Sequence, residues 1–328
     1  MQTTISLDSF IDKCIVKKFS DEDIQKMIDL IFPNTTCNIQ KRKDCIEGYR
    51  TQLVHLLSLP KIEQRTQEWY DARQTLITAS DFAQALGEGK FGSQKQLIQK
   101  KCGFEQDSFN NSAPALKWGT MYEDVACTIY SQRNGMEVHE FGLLRHPTVS
   151  HFGASPDGVS DCGIMVEIKC PYKRKIDGTV PMQYFYQIQG QLDVCGLNEC
   201  DYFECEFFES ENIDDICWNS EYEKGAIIEY SETYLYSPVS AICSPYDLTK
   251  WVNDQDKENM VCVHYYTLTK CNTIRVYKDE TFLQEKMALL DEVWTKIQGY
   301  RADEELYNKE IKSAPKVNPF KLNGFAFK

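Results

Sequence analysis

The stretch from Ala154 to Pro171 constrains this chain more than any other. It reads Ala154-Ser155-Pro156-Asp157-Gly158-Val159, a turn at Ser160-Asp161-Cys162-Gly163, then Ile164-Met165-Val166-Glu167-Ile168-Lys169-Cys170-Pro171. A short apolar run bounded by turn residues predicts a strand over Ile164 to Cys170. Side chains alternate across a strand, so Glu167 and Lys169 share one face while Val166, Ile168 and Cys170 share the other. The apolar face belongs on a core. The opposite face then carries two charges, and the turn brings Asp157 alongside them.

Those residue types together suit one chemistry. A phosphodiester resists water because its charge repels the nucleophile and the alkoxide leaves poorly. Hard divalent cations bind carboxylate oxygens, activate a bound water and offset charge on the attacked phosphate. A neighbouring lysine can orient that water or stabilise the charge that builds up in the transition state. Taken alone, a Glu-x-Lys triplet is more often an ordinary ion pair on a surface hairpin, so the nuclease reading needs support from elsewhere in the chain.

Three other segments supply it. Leu116 to Ala126 reads as the start of a helix, with Gly119 near its N-terminus and Met121, Val125 and Ile129 at helical spacing; Glu123, early on it, can supply a third carboxylate. Upstream, Trp69 and Arg73 precede Thr78-Ala79-Ser80-Asp81, where Thr78 or Ser80 can cap a helix and Arg73 can meet an anion. Downstream, Pro181 opens a helix that places Gln187 and Gln191 one turn apart. Each residue also has a plainer role: Glu123 as a first-turn acid, Arg73 in a surface ion pair, Gln187 as a polar helix position.

Taken in order, Trp69 with Arg73, Thr78-Ala79-Ser80, Trp118-Gly119 with Glu123, Ser155-Pro156-Asp157-Gly158, Glu167-Ile168-Lys169-Cys170-Pro171, and Tyr184 with Gln187 and Gln189 resemble the lambda exonuclease and YqaJ-type viral recombinase family of PD-(D/E)xK nucleases. The similarity is dense from Lys61 to Glu209, continues weakly around Ile274 to Glu280, and leaves residues 1–60 unmatched. The resemblance implies an α/β fold, a three-layer core with a central mixed β-sheet flanked by helices. It implies that Asp157, Glu167 and Glu123, with the backbone carbonyl of Ile168, hold a pair of Mg²⁺ or Mn²⁺ ions. Lys169 would be the catalytic lysine, acting with Asp157 and Glu167, and Gln187 would stand near the metal or the attacking water. Arg73, Ser80 and Ser155 would hold a terminal 5′-phosphate. The remaining basic residue of that pocket falls at Lys173, Arg174 or Lys175, and a lysine there lacks the planar fork of arginine.

The implied activity is that of a divalent-metal-dependent deoxyribonuclease, a 5′-to-3′ exonuclease on double-stranded DNA ends serving viral or phage recombination, repair or replication. The same catalytic residues would serve an endonuclease or an alkaline-type nuclease of both DNA and RNA. A non-catalytic nucleic-acid-binding module is the reading from a different class, and the intact set of Asp157, Glu167 and Lys169 argues against it. A single-strand annealing protein as partner and a ring-shaped homotrimer come with the resemblance alone.

Charge and composition narrow the field. A net charge of −13 excludes a protein that coats nucleic acid by electrostatics alone. Acids crowd the stretch from Glu199 to Thr233, where Lys224 is the lone lysine or arginine, while Lys90, Lys95, Lys100 and Lys101, then Lys169, Lys173, Arg174 and Lys175, are expected to line a DNA track. Lys41, Arg42 and Lys43 form a further basic group. No long apolar run or signal-like N-terminus is present, so the expected setting is intracellular and soluble, with no membrane partner and, for a viral protein, in the host cytoplasm or nucleus. Fourteen cysteines without a Cys-x-x-Cys pair, and only five histidines, point to reduced, mostly buried thiols.

The order of patterns predicts a helical N-terminal extension over 1–60, packed on a nuclease domain over 61–300, and a tail over 301–328. Ser20 caps an amphipathic helix over Asp21 to Ile31, and a second helix covers Cys45 to Leu59. Strands are expected at Phe141 to Arg145 and Tyr202 to Phe208, an acidic loop or insertion over 209–260, and a closing helix over Thr281 to Tyr300.

Overall fold

A strand that carries acids on one side and a core on the other needs shelter on both faces, and the sheet provides it. The computed structural model describes residues 6–104, 113–231, 233–239 and 242–312. Three helices open the chain: α1 (Leu7–Val16), α2 (Asp21–Ile31) and α3 (Ile39–Ser58). Next come α4 (Gln67–Gln74), β1 (Ile77–Thr78), a 3-10 turn at Ala79–Asp81, α5 (Phe82–Ala85) and α6 (Gln94–Cys102). The long α7 (Pro114–Asn134) precedes β2 (Val138–His139), β3 (Leu144–Arg145), β4 (Phe152–Ala154), β5 (Gly158–Ser160) and β6 (Met165–Lys169). Then follow α8 (Met182–Cys195), β7 (Glu199–Ser210), β8 (Lys224–Tyr230), β9 (Tyr234–Tyr236) and α9 (Pro245–Asn253). The described chain closes with β10 (Met260–Tyr277), α10 (Glu280–Ala302) and α11 (Glu304–Tyr307).

The main sheet runs β2-β5-β6-β7-β10-β8-β9, and a smaller one runs β1-β4-β3. Strands β6 and β7 are parallel, whereas β5 with β6 and β7 with β10 are antiparallel. Parallel neighbours need a crossover, and α8 is that crossover. Val166 and Ile168 pack with Met121, Val125 and Ile129 of α7 on one face, while Met165 packs with Ile188 and Leu192 of α8 and Leu290 of α10 on the other. The result is the three-layer α/β core with a central mixed sheet expected from the sequence. Among the described residues no helix is long and apolar enough to cross a membrane.

The N-terminal helices are joined to this core by buried charge. Arg42 on α3 donates from Nε to Asp12 Oδ1 on α1 at 2.6 Å and from Nη1 to Glu199 Oε1 on β7 at 2.5 Å. Arg275 on β10 pairs with Asp201 at 2.7 Å, with Asp12 at 3.1 Å and with Glu199. All five side chains are nearly excluded from water. Arg42 therefore does not belong to a surface basic group.

Several boundaries differ from expectation for physical reasons. The strand expected over Phe141 to Arg145 shrinks to Leu144–Arg145 because Leu143 N donates instead to Ile62 O at 3.0 Å. Helix α7 begins at Pro114, so Glu123 lies in mid-helix rather than in its first turn. The 209–260 stretch is more than a loop: β8 and β9 extend the sheet and α9 lays Leu248 against Ala226. The acids at its threshold, Glu199, Asp201 and Glu204, are buried. Of the predicted tail, 313–328 lies outside the described residues.

Candidate active site

Helix α8 packs over the charged face of β6, so Glu167 meets protein rather than water. Glu167 is fully buried. Its two oxygens are held from α8, where Gln187 Nε2 donates to Oε1 at 2.6 Å and Gln191 Nε2 donates to Oε2 at 2.8 Å. The one-turn spacing of two amides on a helix is what lets them grip one carboxylate from the same side. Helix α8 can come this close to the rest of the site because of Gly190, where a Cβ would lie 2.9 Å from Phe152 and 3.1 Å from Ala79.

Asp157 precedes β5 and reaches across to β6, its Oδ2 accepting from Ile168 N at 2.7 Å. The Lys169 ammonium bonds to Glu167 Oε1, donates to Ile168 O at 3.1 Å and stands 3.9 Å from Asp157 Oδ2. It thus lies against the three oxygens expected to bind a cation on this strand. Glu123 comes in from α7 and pairs with Arg65 at 3.4 Å. Glu123, Asp157 and Ile168 line one cleft of about 380 Å³ together with Glu63 and Glu140.

These carboxylates strain against one another. Burial first, and then the charge of Asp157, push Glu167 up to about 7 even though Lys169 and Gln191 pull the other way. The same two causes push Glu123 up to about 8, against Arg65 and Lys169. Burial works against the charge on Lys169, but Glu167 and Asp157 outweigh it and hold the ammonium above the usual lysine range. A set of hard oxygen donors with an unmet need for positive charge fits a divalent cation of the Mg²⁺ or Mn²⁺ kind.

The segment expected to hold a phosphate assembles beside this centre. The Arg73 guanidinium lies 4.2 Å from the centroid of the Trp69 ring and donates to Ser80 Oγ at 3.1 Å. Trp69 Nε1 donates to Ser155 Oγ at 3.0 Å, so one indole joins the two halves of the expected pocket. Thr78, not Ser80, takes the capping role: its Oγ1 and N both donate to Asp81 Oδ2, at 2.8 and 3.2 Å. This leaves Ser80 to face Arg73. Lys101 is 2% exposed, paired with Asp81 at 2.9 Å, and donates to Arg73 O at 2.8 Å. It supports the pocket from behind and does not line a DNA track.

The three basic residues after β6 go elsewhere. Arg174 is paired with buried Glu204, and Lys175 with Glu206 at 2.6 Å. Lys173 and Arg174 line a different cleft from Arg73, the one on the side of Lys169. Sequence reasoning did not assign roles to Gln191 and Arg65. The one-turn spacing of Gln187 and Gln191 was the available signal for the first; nothing local marks Arg65. A separate cluster, Glu137, His139 and Asp161, brings ligand-type atoms within 4.8 Å of one another at the outer end of β2 and β5. Its hydrogen bonds, such as Glu137 N to Asp161 Oδ2 at 2.9 Å, tie that corner together.

The site is thus an acid-lysine strand in a layered α/β fold, set against a glutamine-bearing helix. Residues 68–198 match the profile of the YqaJ-like viral recombinase domain. It is 28% identical to an uncharacterised protein of Acanthamoeba polyphaga mimivirus, over 81% of this chain and 58% of that protein. It is also 28% identical to a protein of African swine fever virus, over 40% of this chain and 46% of that protein. The chain thus spans about half the length of these relatives. A crystal structure of an alkaline exonuclease from Laribacter hongkongensis superposes with a TM-score of 0.48 and 22% identity, over 76% of this chain and all of that one.

Proposed function

We propose that this chain is a divalent-metal-dependent deoxyribonuclease that degrades double-stranded DNA from its 5′ ends, in viral DNA recombination, repair or replication. The observation that carries this reading is the meeting of Asp157, Glu167, Glu123 and Lys169 at the end of one buried strand, beside the Trp69–Arg73–Ser80–Ser155 group. Asp157, Glu167, Glu123 and the Ile168 carbonyl would hold the cation. When bound, the cation would activate water and offset phosphate charge. Gln187 and Gln191 fix the rotamer of Glu167, so no reorganisation is needed at the moment of reaction. Lys169 places a positive charge where negative charge grows on the attacked phosphate. Arg73, with Ser80, would bind a terminal phosphate through its planar fork. A ring-shaped oligomer and a strand-annealing partner belong to the same proposal.

The test uses linear duplex carrying a 5′-phosphate or a 5′-hydroxyl, labelled at either end, with Mg²⁺ or with chelator. Mg²⁺-dependent release from phosphorylated 5′ ends is the expected result; release from 3′ ends, or cleavage of closed circles alone, would overturn the polarity. In the same assay Arg73→Gln is expected to lose about tenfold or more on phosphorylated ends and little on hydroxyl ends, since a charge-assisted hydrogen bond is worth about 1.5–3 kcal/mol. An equal loss on both ends would remove Arg73 from phosphate recognition.

The raised carboxyl groups give a pH dependence whose sign is fixed. Between pH 4.5 and about 8 the folded state retains protons on Glu167 and Glu123 that the unfolded chain has already released. Each rise in pH therefore lowers the stability of the cation-free protein across that window. A bound divalent cation offsets this, so the rise in Tm on adding Ca²⁺ is expected to be larger at pH 8 than at pH 5. Equal shifts at the two pH values would show that these acids do not bind the ion.

A further inference from the structure

The connection between α5 and α6 holds two side chains out in solvent at the edge of the catalytic cleft. It reads Gly87-Glu88-Gly89-Lys90-Phe91-Gly92, and Phe91 is 80% exposed. The connection is fixed on both sides of Phe91. At Gly89 a Cβ would lie 2.7 Å from the Gln84 Cα, and at Gly92 it would lie 2.5 Å from the Gln84 amide nitrogen. Only glycine allows the approach at Gly89, which meets backbone; at Gly92 the contact is with the far end of the Gln84 side chain, which can shift. Gln84 in turn donates to Ser93 O at 3.1 Å, and Glu88 accepts from Tyr186 Oη at 2.5 Å and pairs with Lys286 at 3.2 Å. These contacts tie the chain on either side of Phe91, whose ring is left exposed.

Lys90 and Phe91 line a cleft of about 820 Å³ that extends to Glu123 and Lys169. Tyr172 and Lys173 line it too, with the Lys173 ammonium 5.3 Å from the Tyr172 ring centroid. Tyr172 is 43% exposed and is supported by the Trp118 ring at 5.3 Å. Two exposed aromatic rings therefore border the cleft, Tyr172 with the Lys173 ammonium beside it and Phe91 with Lys90 as its chain neighbour on the same lining. Base pairs in a duplex keep their faces stacked on one another, whereas an unpaired strand offers bare base faces and a flexible row of phosphates. Aromatic faces beside cations complement the second and not the first.

We infer that this cleft binds the unpaired DNA strand at a duplex end, with bases stacking on Phe91 and Tyr172 and phosphates meeting Lys90 and Lys173. The inference rests on the nuclease reading and adds a second, sequence-tolerant recognition surface to it. Stacking accepts any base, which suits a site through which a strand must pass whatever its sequence.

The experiment measures binding by fluorescence anisotropy, in chelator so that nothing is cut. The probes are a short single strand, the same strand with abasic positions, a blunt duplex and a duplex with an unpaired tail. Phe91→Ala is expected to weaken binding of the single strand and the tailed duplex by about tenfold, with the blunt duplex much less affected. Abasic substitution is expected to weaken wild-type binding to a similar degree, and Phe91→Trp to restore it. Tyr172→Ala, on the other wall, is an independent second variant with the same expected selectivity. Unchanged binding in both variants, or an equal loss on blunt duplex, overturns the inference. If the wild type binds and cleaves DNA while these variants bind as it does, the cleft assignment alone fails; if the wild type neither binds nor cleaves any DNA, the nuclease reading fails.

Discussion

Lys169→Met is expected to lower single-turnover DNA cleavage about a hundred- to a thousandfold while leaving Ca²⁺ binding as tight as in the wild type, or tighter. The two effects part because of where the ammonium lies. It bonds to Glu167 and to the Ile168 carbonyl and stands near Asp157, so it meets the same oxygens that a cation would use. Removing it takes away the charge that would stabilise the reacting phosphate, yet leaves the acids with a greater need for a positive partner. Methionine keeps the length and apolar bulk of the stem, which limits disturbance to β6. Glu167→Ala contrasts with it: this change removes the proposed ligand together with the anchor of Gln187 and Gln191, and is expected to lose both cleavage and Ca²⁺ binding. Rapid-quench kinetics and titration calorimetry on the two variants decide the matter. A Lys169→Met protein that still cleaves at more than about a tenth of the wild-type rate would show that the lysine has no part in the chemistry.

The second large effect lies far from the catalytic strand. Arg275→Met is expected to destabilise the protein by about 3–5 kcal/mol, the usual cost of removing one partner from a buried ion cluster. Asp12, Glu199 and Asp201 would be left with Arg42 as their single guanidinium, although Tyr49 still donates to Glu199 at 2.9 Å and Tyr130 to Asp201 at 2.7 Å. Urea unfolding followed by tryptophan fluorescence measures the loss, and protease digestion shows where it falls. The expected early cuts lie in α1 and the α1–α2 connection, which Asp12 would still tie to α3 through Arg42 but no longer to β10. A loss below about 1 kcal/mol would mean that the helices stay in place by apolar packing around Ile11, Ile24 and Ile28.

The comparison of these two regions shows what a sequence reveals and what it conceals. The β6 strand was legible because its alternation places Glu167 and Lys169 opposite Val166 and Ile168, a pattern contained within a few residues. Helix α8 was legible for a similar reason, with a proline to open it and Gln187 and Gln191 one turn apart. The start of α7 was misjudged because Gly119 looks like a terminus, whereas Pro114 marks the real one. The acids from Glu199 onward read as one crowded run, but Glu199, Asp201 and Glu204 point into protein and meet Arg42, Arg275 and Arg174. No local pattern carries that information, because each partner comes from a distant part of the chain. Lys101 misled in the same way: beside Lys100 it looks like half of a basic surface, but Asp81 holds it inside.

The pairing of Asp12 with Arg275 also sets a schedule. The two residues are 263 positions apart, so on a ribosome the first helix emerges long before the strand that neutralises its buried acid exists. Arg42 can meet Asp12 early, but Glu199 and Arg275 come later, and β10 must first find its place between β7 and β8. Contacts with so long a loop to close form late. An incomplete nascent chain therefore lacks two of the partners, Glu199 and Arg275, that fix its N-terminal helices on the core.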